Sequence, residues 1–326
     1  MRARPRRPAA RTARAIAAVA IVALGLGVAG CAAAPAADPP PSAPPPPGLP
    51  VSTDAIAVVM EVYRTRIDPS RDGIQLSVTN EGDAPLALDG ARLESPLLSA
   101  ALERSDDAVI PAGATRDLPM TLVDPRCPAL AEPAAPAEPA APDAVLLVPL
   151  ADGSVAELRV PTTDRIGQWA AWLEGACFAQ AVGERVELAV RAGGPGAGGG
   201  TIGVELVVRA QPGPVGGGGG AELVRLTGVG GTVLLGALDG AGERAEGIPL
   251  DVVIDPASPP DAPIVVPLRF SPNRCDAHAI ADDKQGTLFR VDVALGERTG
   301  TVTVVSEAAT KEAIYAAITA ACAADD

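Results

Sequence analysis

The sequence predicts a mainly β protein of two tandem Ig-like β-sandwich domains, each ending in a short C-terminal helix pinned by a disulfide. Three observations support this fold: an internal repeat, short alternating runs separated by turn residues, and four cysteines with matched spacing. The chain has 326 residues, of which 48% are hydrophobic. That is enough apolar material for two cores at about 100–200 residues per domain. Aromatic residues are only 2% of the chain, so the cores must be mainly aliphatic.

Residues 1–30 have the pattern of a leader. Six arginines and no acid lie in residues 1–14, and residues 15–29 contain only Ala, Val, Ile, Leu and Gly. A basic region before a short apolar run is typical of a signal peptide. The run ends in Val28-Ala29-Gly30-Cys31, which resembles the lipobox of bacterial lipoproteins. That resemblance implies cleavage after Gly30 and a lipid on the Cys31 sulfur. The alternative is an ordinary signal peptide, or a membrane anchor, with a coincidental cysteine.

A proline-rich tether is predicted at residues 31–53. Nine of the 19 residues from 32 to 50 are proline, which fixes φ and removes the backbone donor. The segment should therefore be extended polyproline II, with a reach of roughly 60 Å at about 3.1 Å per residue. A spacer beside a lipid anchor is the favoured interpretation, and a ligand for a proline-recognition domain is the alternative.

The charge of the chain restricts its partners. The formal net charge is −14, and because all six arginines of the leader would be removed, 20 basic and 40 acidic residues remain, giving −20. A surface of this sign is repelled by nucleic acid and by anionic headgroups. We therefore expect no nucleic-acid partner. We expect the protein on the outer face of the cell membrane, held there by its lipid.

An internal repeat divides the rest of the chain into domains of residues 54–180 and 181–326. In each half, a strand with a central proline leads to a cysteine, two further strands and a helix that ends in a second cysteine. Repeats of this kind decide the architecture. A shift of 145 residues brings positions of the two halves into register: Leu146 and Val148 on Val291 and Val293, Val160 on Val305, Trp169 on Ile314, Leu173 on Ile318, and Cys177 on Cys322.

The first copy should contain six strands and one helix. Turn signals separate the alternating runs, as in a sandwich. At Asp164–Ala179 the spacing of Ile166, Trp169, Leu173 and Cys177 changes to a helical stripe. The tryptophans Trp169 and Trp172 are interpreted as core residues, with a ligand platform as the alternative. The predicted strands are Ala55–Ile67, Ile74–Asn80, Pro85–Leu93, Thr115–Val123, Ala144–Leu150 and Val155–Val160.

The helix of the second copy shows the same stripe at Ile314, Ile318 and Cys322, with Ser306 as its expected N-cap.

Four cysteines remain once Cys31 is assigned to the lipid, and four cysteines allow three pairings. Export places them where disulfides persist. Repeat symmetry selects Cys127–Cys177 and Cys275–Cys322, because the other pairings would join different copies. No two of the four are close enough in sequence for a zinc knuckle, so no metal site is expected.

The loop after Cys275 is the one candidate binding site. It contains Asp276, His278, Asp282, Asp283 and Lys284, including the only histidine of the chain. The segment resembles a Cys-Asp-x-His stretch in exported proteins of unknown activity from high-GC Gram-positive bacteria, and the resemblance implies no activity. These side chains could bind a cation or a protein partner. The alternative is that they cap the loop and pair locally, since the first copy has no counterpart.

We expect a lipid-anchored binding or envelope-structural module that is not an enzyme. Its partner would be a protein or another envelope component. No cofactor is expected: the glycine run at 193–200 formally matches a dinucleotide fingerprint, but an alternating strand follows it where that fingerprint requires a helix. The alternatives are an envelope hydrolase that uses carboxylates and a solute-binding lipoprotein.

Overall fold

The computed structural model describes residues 56–127, 140–194, 200–211, 222–276, 278, 280 and 287–324. All of these belong to one unit, Pro47–Asp326. The predicted class is confirmed: the described chain is mainly β, with two sandwiches and two long helices. The predicted leader and tether, residues 1–53, lie outside the described residues.

Two sheets form the first sandwich. One is ordered β10-β1-β2-β7 and the other β5-β4-β8-β9, while β3 and β6 form a short separate ribbon. The strands are β1 (Val58–Tyr63), β2 (Gly73–Asn80), β3 (Leu86–Leu88), β4 (Gly90–Glu94), β5 (Leu102–Arg104), β6 (Ala108–Ile110), β7 (Thr115–Thr121), β8 (Asp143–Pro149), β9 (Val155–Pro161) and β10 (Thr163–Asp164).

The second sandwich follows helix α1 (Gln168–Gly183) and ends in helix α2 (Ala308–Ala324). Its sheets are ordered β11-β12-β17-β14-β15 and β16-β13-β18-β19. The strands are β11 (Val186–Ala192), β12 (Ile202–Ala210), β13 (Val224–Gly230), β14 (Leu235–Leu238), β15 (Arg244–Ala245), β16 (Gly247–Ile254), β17 (Ile264–Pro272), β18 (Leu288–Leu295) and β19 (Arg298–Val305).

Seven central strands of each copy share one topology, while β3, β6, β10, β14 and β15 differ between the copies. The order β1-β2-β7 in the first copy corresponds to β11-β12-β17 in the second, and β5-β4-β8-β9 corresponds to β16-β13-β18-β19. In the constant-type Ig sandwich the fourth strand joins the sheet of the first, second and fifth strands. Here the strand in that place, β5 or β16, pairs within the opposite sheet. Both copies are therefore Ig-like sandwiches with the same switched edge.

Alternation along the strands builds one core between the sheets of each copy. In β1 the side chains of Met60 and Val62 are buried, while Val59, Glu61 and Tyr63 lie on the outer face. Leu146 of the facing sheet joins the same core. The second core is also mainly aliphatic; besides Phe178 it contains Phe270 and Phe289, whose tilted rings have centroids 5.6 Å apart.

Several boundaries differ from the prediction. The run at residues 85–93 is divided at Asp89 into β3 and β4, which pair with different partners. Helix α1 begins at Gln168 rather than Asp164, because the chain first forms β10 beside β1. Ile166 consequently precedes the helix and is 71% exposed, so its place in the helical stripe was wrong.

The alignment of the two copies changes by one residue between the strands β8 and β9 of the first copy and their counterparts β18 and β19 in the second. Leu146 pairs with Leu158, and its counterpart Val291 pairs with Val302, so the shift there is 144 residues. The counterpart of Val160 is therefore the buried Val304, and the predicted match with Val305 was wrong, since Val305 is 67% exposed. The two hairpins differ in turn length, which accounts for the difference.

Ser306 has a different role from the predicted N-cap. Its buried hydroxyl donates a hydrogen bond of 2.9 Å to the carbonyl oxygen of Thr287, and α2 begins two residues later, at Ala308. The serine thereby ties the start of β18 to the end of β19.

The disulfides are Cys127–Cys177 and Cys275–Cys322, the two pairings that repeat symmetry selects. The first joins the segment after β7 to α1 and the second joins the segment after β17 to α2, with Cα–Cα distances of 5.4 Å and 5.5 Å. Loops of about 50 residues closed in this way contribute up to about 4 kcal/mol each in the chain-entropy model.

Helix α1 belongs to both cores. Its first turn buries Trp169 in the first core, and its last turns bury Phe178 and Val182 in the second. Apolar side chains surround this helix, with Glu174 as its only charged residue, a composition typical of a helix packed on more than one side. The predicted domain boundary after residue 180 falls inside α1.

Phe178 packs directly on the second sandwich at Gly300 of β19. A Cβ atom on Gly300 would lie 2.7 Å from Cδ1 of the Phe178 ring, closer than side-chain carbons approach. Glycine at this position therefore makes room for the ring, and the contact joins a helix of the first repeat to a strand of the second.

Candidate functional site

The outer face of the sheet β10-β1-β2-β7 carries a group of polar side chains that the sequence analysis did not single out. Glu61 lies beside Ser77 across the β1–β2 ladder, and Ser77 lies beside Asp117 of β7. Tyr63 follows Glu61 by two residues in β1 and therefore lies on the same face. Arg165, just after β10, completes the group, which we call the Tyr63–Arg165 cluster: Glu61, Tyr63, Ser77, Asp117 and Arg165.

Strand β10 places Arg165 on this face. It pairs with β1 in parallel, with Glu61 opposite Thr163, and the amide of Arg165 continues the pairing by donating to the carbonyl of Val62 at 3.1 Å. Asp164, the last residue of β10, accepts hydrogen bonds from the amides of Gln168 and Ala170. The start of α1 is thus fixed next to Arg165.

Four contacts hold the cluster together. The guanidinium of Arg165 lies 2.8 Å from Glu61 Oε2 and donates to Ser77 Oγ at 3.1 Å. Its central carbon lies 4.2 Å from the centroid of the Tyr63 ring, within the range of a cation–π contact. The Tyr63 hydroxyl donates to Asp117 Oδ2 at 2.6 Å. An aromatic ring and an arginine are therefore held in a fixed arrangement on an accessible sheet face.

The contacts also set the ionisation of the cluster. The hydrogen bond to the Asp117 carboxylate raises the pKa of the Tyr63 phenol above its ordinary value, because ionised Tyr63 would lose that bond and face a like charge. The hydrogen bond with Glu61 raises the pKa of Arg165. At neutral pH the cluster presents a protonated phenol and a guanidinium cation.

A buried carboxylate supports the edge of this face. Asp68, only 3% exposed, lies in the turn between β1 and β2. Although burial opposes its ionisation, hydrogen bonds from the Thr65 amide (2.6 Å) and the Gln75 side chain (2.9 Å) lower the pKa of Asp68. A Cβ on Gly73 would come within 2.9 Å of Asp68 Oδ1, so glycine allows the turn to close over the carboxylate.

The two tryptophans lie in the first core and in its neighbourhood. Trp169 is fully buried, and its indole nitrogen donates to the carbonyl of Ala140 at 3.1 Å. Trp172 is half-buried, with its ring centroid 5.2 Å from that of Trp169.

The predicted binding loop is described only in part. Asp276 and His278 are exposed, while Asp282, Asp283 and Lys284 lie outside the described residues. The amide of Ile280 donates to the Asp276 carbonyl at 3.3 Å, and Ile280 packs against the second core. This apolar contact and the disulfide at Cys275 both help to fix the described part of the loop, whose role as a binding site stays a prediction. The predicted lipidation residue, Cys31, also lies outside the described residues.

Concave surfaces on the described part of the chain are shallow. A groove of about 320 Å³ lies between the end of α1, β11 and β19, and its one acidic side chain is Glu187. A second groove, of about 210 Å³, lies between β11, β12 and the start of α2, and its acidic side chains are Glu187 and Glu307. A glycosidase needs two carboxylates that face each other across a cleft, and the first groove has no such pair.

Among the described residues, no group of three or more His, Cys, Asp or Glu side chains is arranged to hold a metal ion. Within the same residues, neither helix is long and apolar enough to span a bilayer.

One feature of the sequence could have indicated part of the Tyr63–Arg165 cluster. The alternation of β1 places Glu61 and Tyr63, one of only two tyrosines, on the face opposite Met60 and Val62. Nothing in the sequence indicated that β10 would bring Arg165 onto this face, because a strand of two residues leaves no periodicity.

Comparison with known proteins gives no family. No protein-family model and no curated protein matches the chain. Among solved structures, red sea bream transglutaminase has a TM-score of 0.20 at 13% identity, with 77% of this chain and 31% of the other covered. The YadV chaperone has a TM-score of 0.19 at 13% identity, covering 77% and 100%.

The BSP domain of a biofilm-associated protein has a TM-score of 0.19 at 9% identity, covering 82% of this chain and 61% of the other. The chain thus spans about a third of the transglutaminase and under two thirds of the BSP-domain chain. Similarity at this level carries no functional argument, and the sandwich fold rests on the sheets described above.

Proposed function

We propose that the chain is a lipid-anchored, non-catalytic module on the outer face of the cell membrane that binds a protein of the envelope through the Tyr63–Arg165 cluster. The observation that carries this proposal is the pair formed by the half-buried Tyr63 and the exposed Arg165, which Glu61, Ser77 and Asp117 hold in place. Tyrosine and arginine are enriched at the centres of protein interfaces, and side chains already fixed lose little entropy on binding.

The surroundings of the cluster suit a protein partner. Val59, 44% exposed, lies on the same outer face of β1, and Ile166, 71% exposed, follows Arg165. Apolar groups next to an aromatic ring and a guanidinium give the mixed composition of an interface core.

The ionisation of Tyr63, Asp68 and Glu94 supports a non-catalytic role for these three groups. General acids and bases work best with a pKa near the operating pH. The pKa of Tyr63 is raised from an already high value, and the pKa values of the Asp68 and Glu94 carboxyls are lowered, the latter mainly by the Arg159 hydrogen bond. Each shift moves the group away from neutrality.

Lipid attachment rests on the leader and on Cys31. Palmitate labelling in cells tests it: Cys31→Ala should abolish incorporation of the label, and Ser42→Ala, in the neighbouring tether, should retain it. Label that persists in Cys31→Ala would refute the anchor.

Photo-crosslinking in intact cells tests the binding surface. A photoreactive amino acid at Val59 should give a covalent adduct with an envelope protein. The same amino acid at Val265, which is 41% exposed on the second sandwich, should give none. The adduct at Val59 should disappear when Tyr63→Ala and Arg165→Ala are combined, and should persist with Arg225→Ala, which breaks an exposed ion pair elsewhere. Equal adducts from Val59 and Val265, or no adduct from Val59, would contradict the proposal.

A further inference from the structure

Strand β9 is a free edge of the first sandwich. In the sheet β5-β4-β8-β9 it pairs with β8 over all seven residues, Val155–Pro161, and no described strand pairs with its other side. Such an edge presents a row of backbone donors and acceptors to any strand that can align with it. The first copy thus exposes a template for strand pairing.

The side chains of β9 are self-complementary about Leu158. An antiparallel second copy of β9, related by a two-fold axis at Leu158, would place Glu157 opposite the partner's Arg159 and Arg159 opposite the partner's Glu157. On the other face it would place Ala156 opposite the partner's Val160. Cross-strand pairs of opposite charge stabilise a sheet, and like charges in those places destabilise it.

Burial along β9 fits the same register. Ala156, Leu158 and Val160 point toward the first core, yet all three are only half-buried, and Leu158 and Val160 pack against that core. A neighbouring strand in this register would cover them with apolar side chains of the same kind. The apolar face and the charged face therefore specify the same partner.

Existing ion pairs leave the charged face accessible. Glu157 accepts a hydrogen bond from Arg92 at 3.0 Å, and Arg159 pairs with Glu94, but the side chains of Glu157 and Arg159 remain 57% and 54% exposed. Pairing of two β9 strands would extend these contacts into one network across both molecules. Charges of a single sign would instead protect an edge by repulsion.

The second copy lacks this pattern. The shift of 144 residues in the last strand makes Thr301 and Thr303 the counterparts of Glu157 and Arg159. Self-complementary charge is thus a property of β9 and is absent from its counterpart β19.

We propose that β9 is a homodimerisation edge, on which two copies of this chain pair antiparallel about Leu158 to join their two four-stranded sheets into one. A pair of seven-residue strands buries less area than the roughly 1,600 Å² of a standard interface, so the dimer is a weak one that depends on local concentration.

Disulfide trapping of the full-length protein in detergent tests the register. In Leu158→Cys the two introduced cysteines face each other, so mild oxidation should give a covalent dimer about ten-fold faster than in Val155→Cys. The control position is itself exposed, but in this register the two copies of residue 155 are about 20 Å apart. Equal rates for the two variants, or no dimer from Leu158→Cys, would overturn the proposal.

Charge reversal tests the pairing separately from the fold. Adding Glu157→Lys to Leu158→Cys should slow trapping several-fold, because a lysine then faces the partner's Arg159. Adding Arg159→Glu as well should restore the rate, although the ion pairs of Glu157 with Arg92 and of Arg159 with Glu94 within each molecule remain lost. Thermal unfolding of each variant controls for stability. Failure of the double reversal to restore trapping in a folded protein would also overturn the proposal.

Discussion

Replacing Gly300 by alanine tests how α1 packs on the second sandwich. The new methyl carbon would lie 2.7 Å from Cδ1 and 2.8 Å from Cε1 of Phe178. Ordinary carbon–carbon contacts are about 3.5–4.0 Å, so the ring or the strand must move by nearly 1 Å. Overpacking of this kind costs about 1–3 kcal/mol. Without the ring, alanine should be better than glycine in a strand by about 0.5–1 kcal/mol.

Phe178→Ala removes the ring that the new methyl group would contact, and it is the second single variant of a double-mutant cycle with Gly300→Ala. Alone it should cost about 3–5 kcal/mol, because the ring is only 8% exposed in the second core. In the Phe178→Ala background, Gly300→Ala should leave the free energy of unfolding unchanged or raise it, whereas in the parent protein it lowers it. The two substitutions should therefore be coupled by about 2–3 kcal/mol.

Urea unfolding of the parent, the two single variants and the double variant measures the coupling. Both tryptophans lie on α1, so fluorescence follows the helix while circular dichroism follows the sheets. If Gly300→Ala costs the same free energy with and without Phe178, the packing of α1 on β19 is refuted.

Three further predictions concern the first sandwich. Asp68→Asn should lower the free energy of unfolding by about 1–3 kcal/mol at neutral pH; because the folded-state pKa of Asp68 is lowered, the difference should shrink in urea titrations as pH falls through the range where the carboxylate is protonated. Replacing Cys127 and Cys177 together by serine should lower the free energy of unfolding by up to about 4 kcal/mol in the same urea titration. Circular dichroism should show that the two sandwiches still form. Asp117→Asn should lower the pKa of Tyr63 in an ultraviolet absorbance titration, with Tyr63→Phe identifying the signal; an unchanged midpoint would contradict the hydrogen bond.

The cysteines and the repeat show what the sequence could predict. Disulfide pairing followed from two matched separations, and the central strands followed from alternation that places Leu146 and Val291 in equivalent cores. These features depend on side-chain patterns that extend over many residues. Such long patterns can be recognised in both copies even though individual residues differ.

Short elements and shared surfaces were harder to predict. Strand β10 has two residues, and its pairing with β1 delays the helix and leaves Ile166 exposed. Turn length moved the counterpart of Val160 from Val305 to Val304. The role of α1 in two cores had one unused signal, the apolar residues on every side of the helix, with Glu174 as its only charge.

The cluster around Arg165 was missed for a related reason. Its members come from β1, β2, β7 and the segment after β10, and only the sheet order brings them together. A face assembled from four segments has no signature in any one of them.

The packing of α1 in both cores predicts a fixed orientation of the two sandwiches, which is tested most directly by the distance between spin labels on them, measured by electron–electron double resonance. Labels at Val109 in the first sandwich and Val265 in the second, 56% and 41% exposed, leave both cores intact. One narrow distance distribution is predicted for the parent protein, and a broader one for Phe178→Ala. A broad distribution in the parent would contradict the shared helix as a rigid connection.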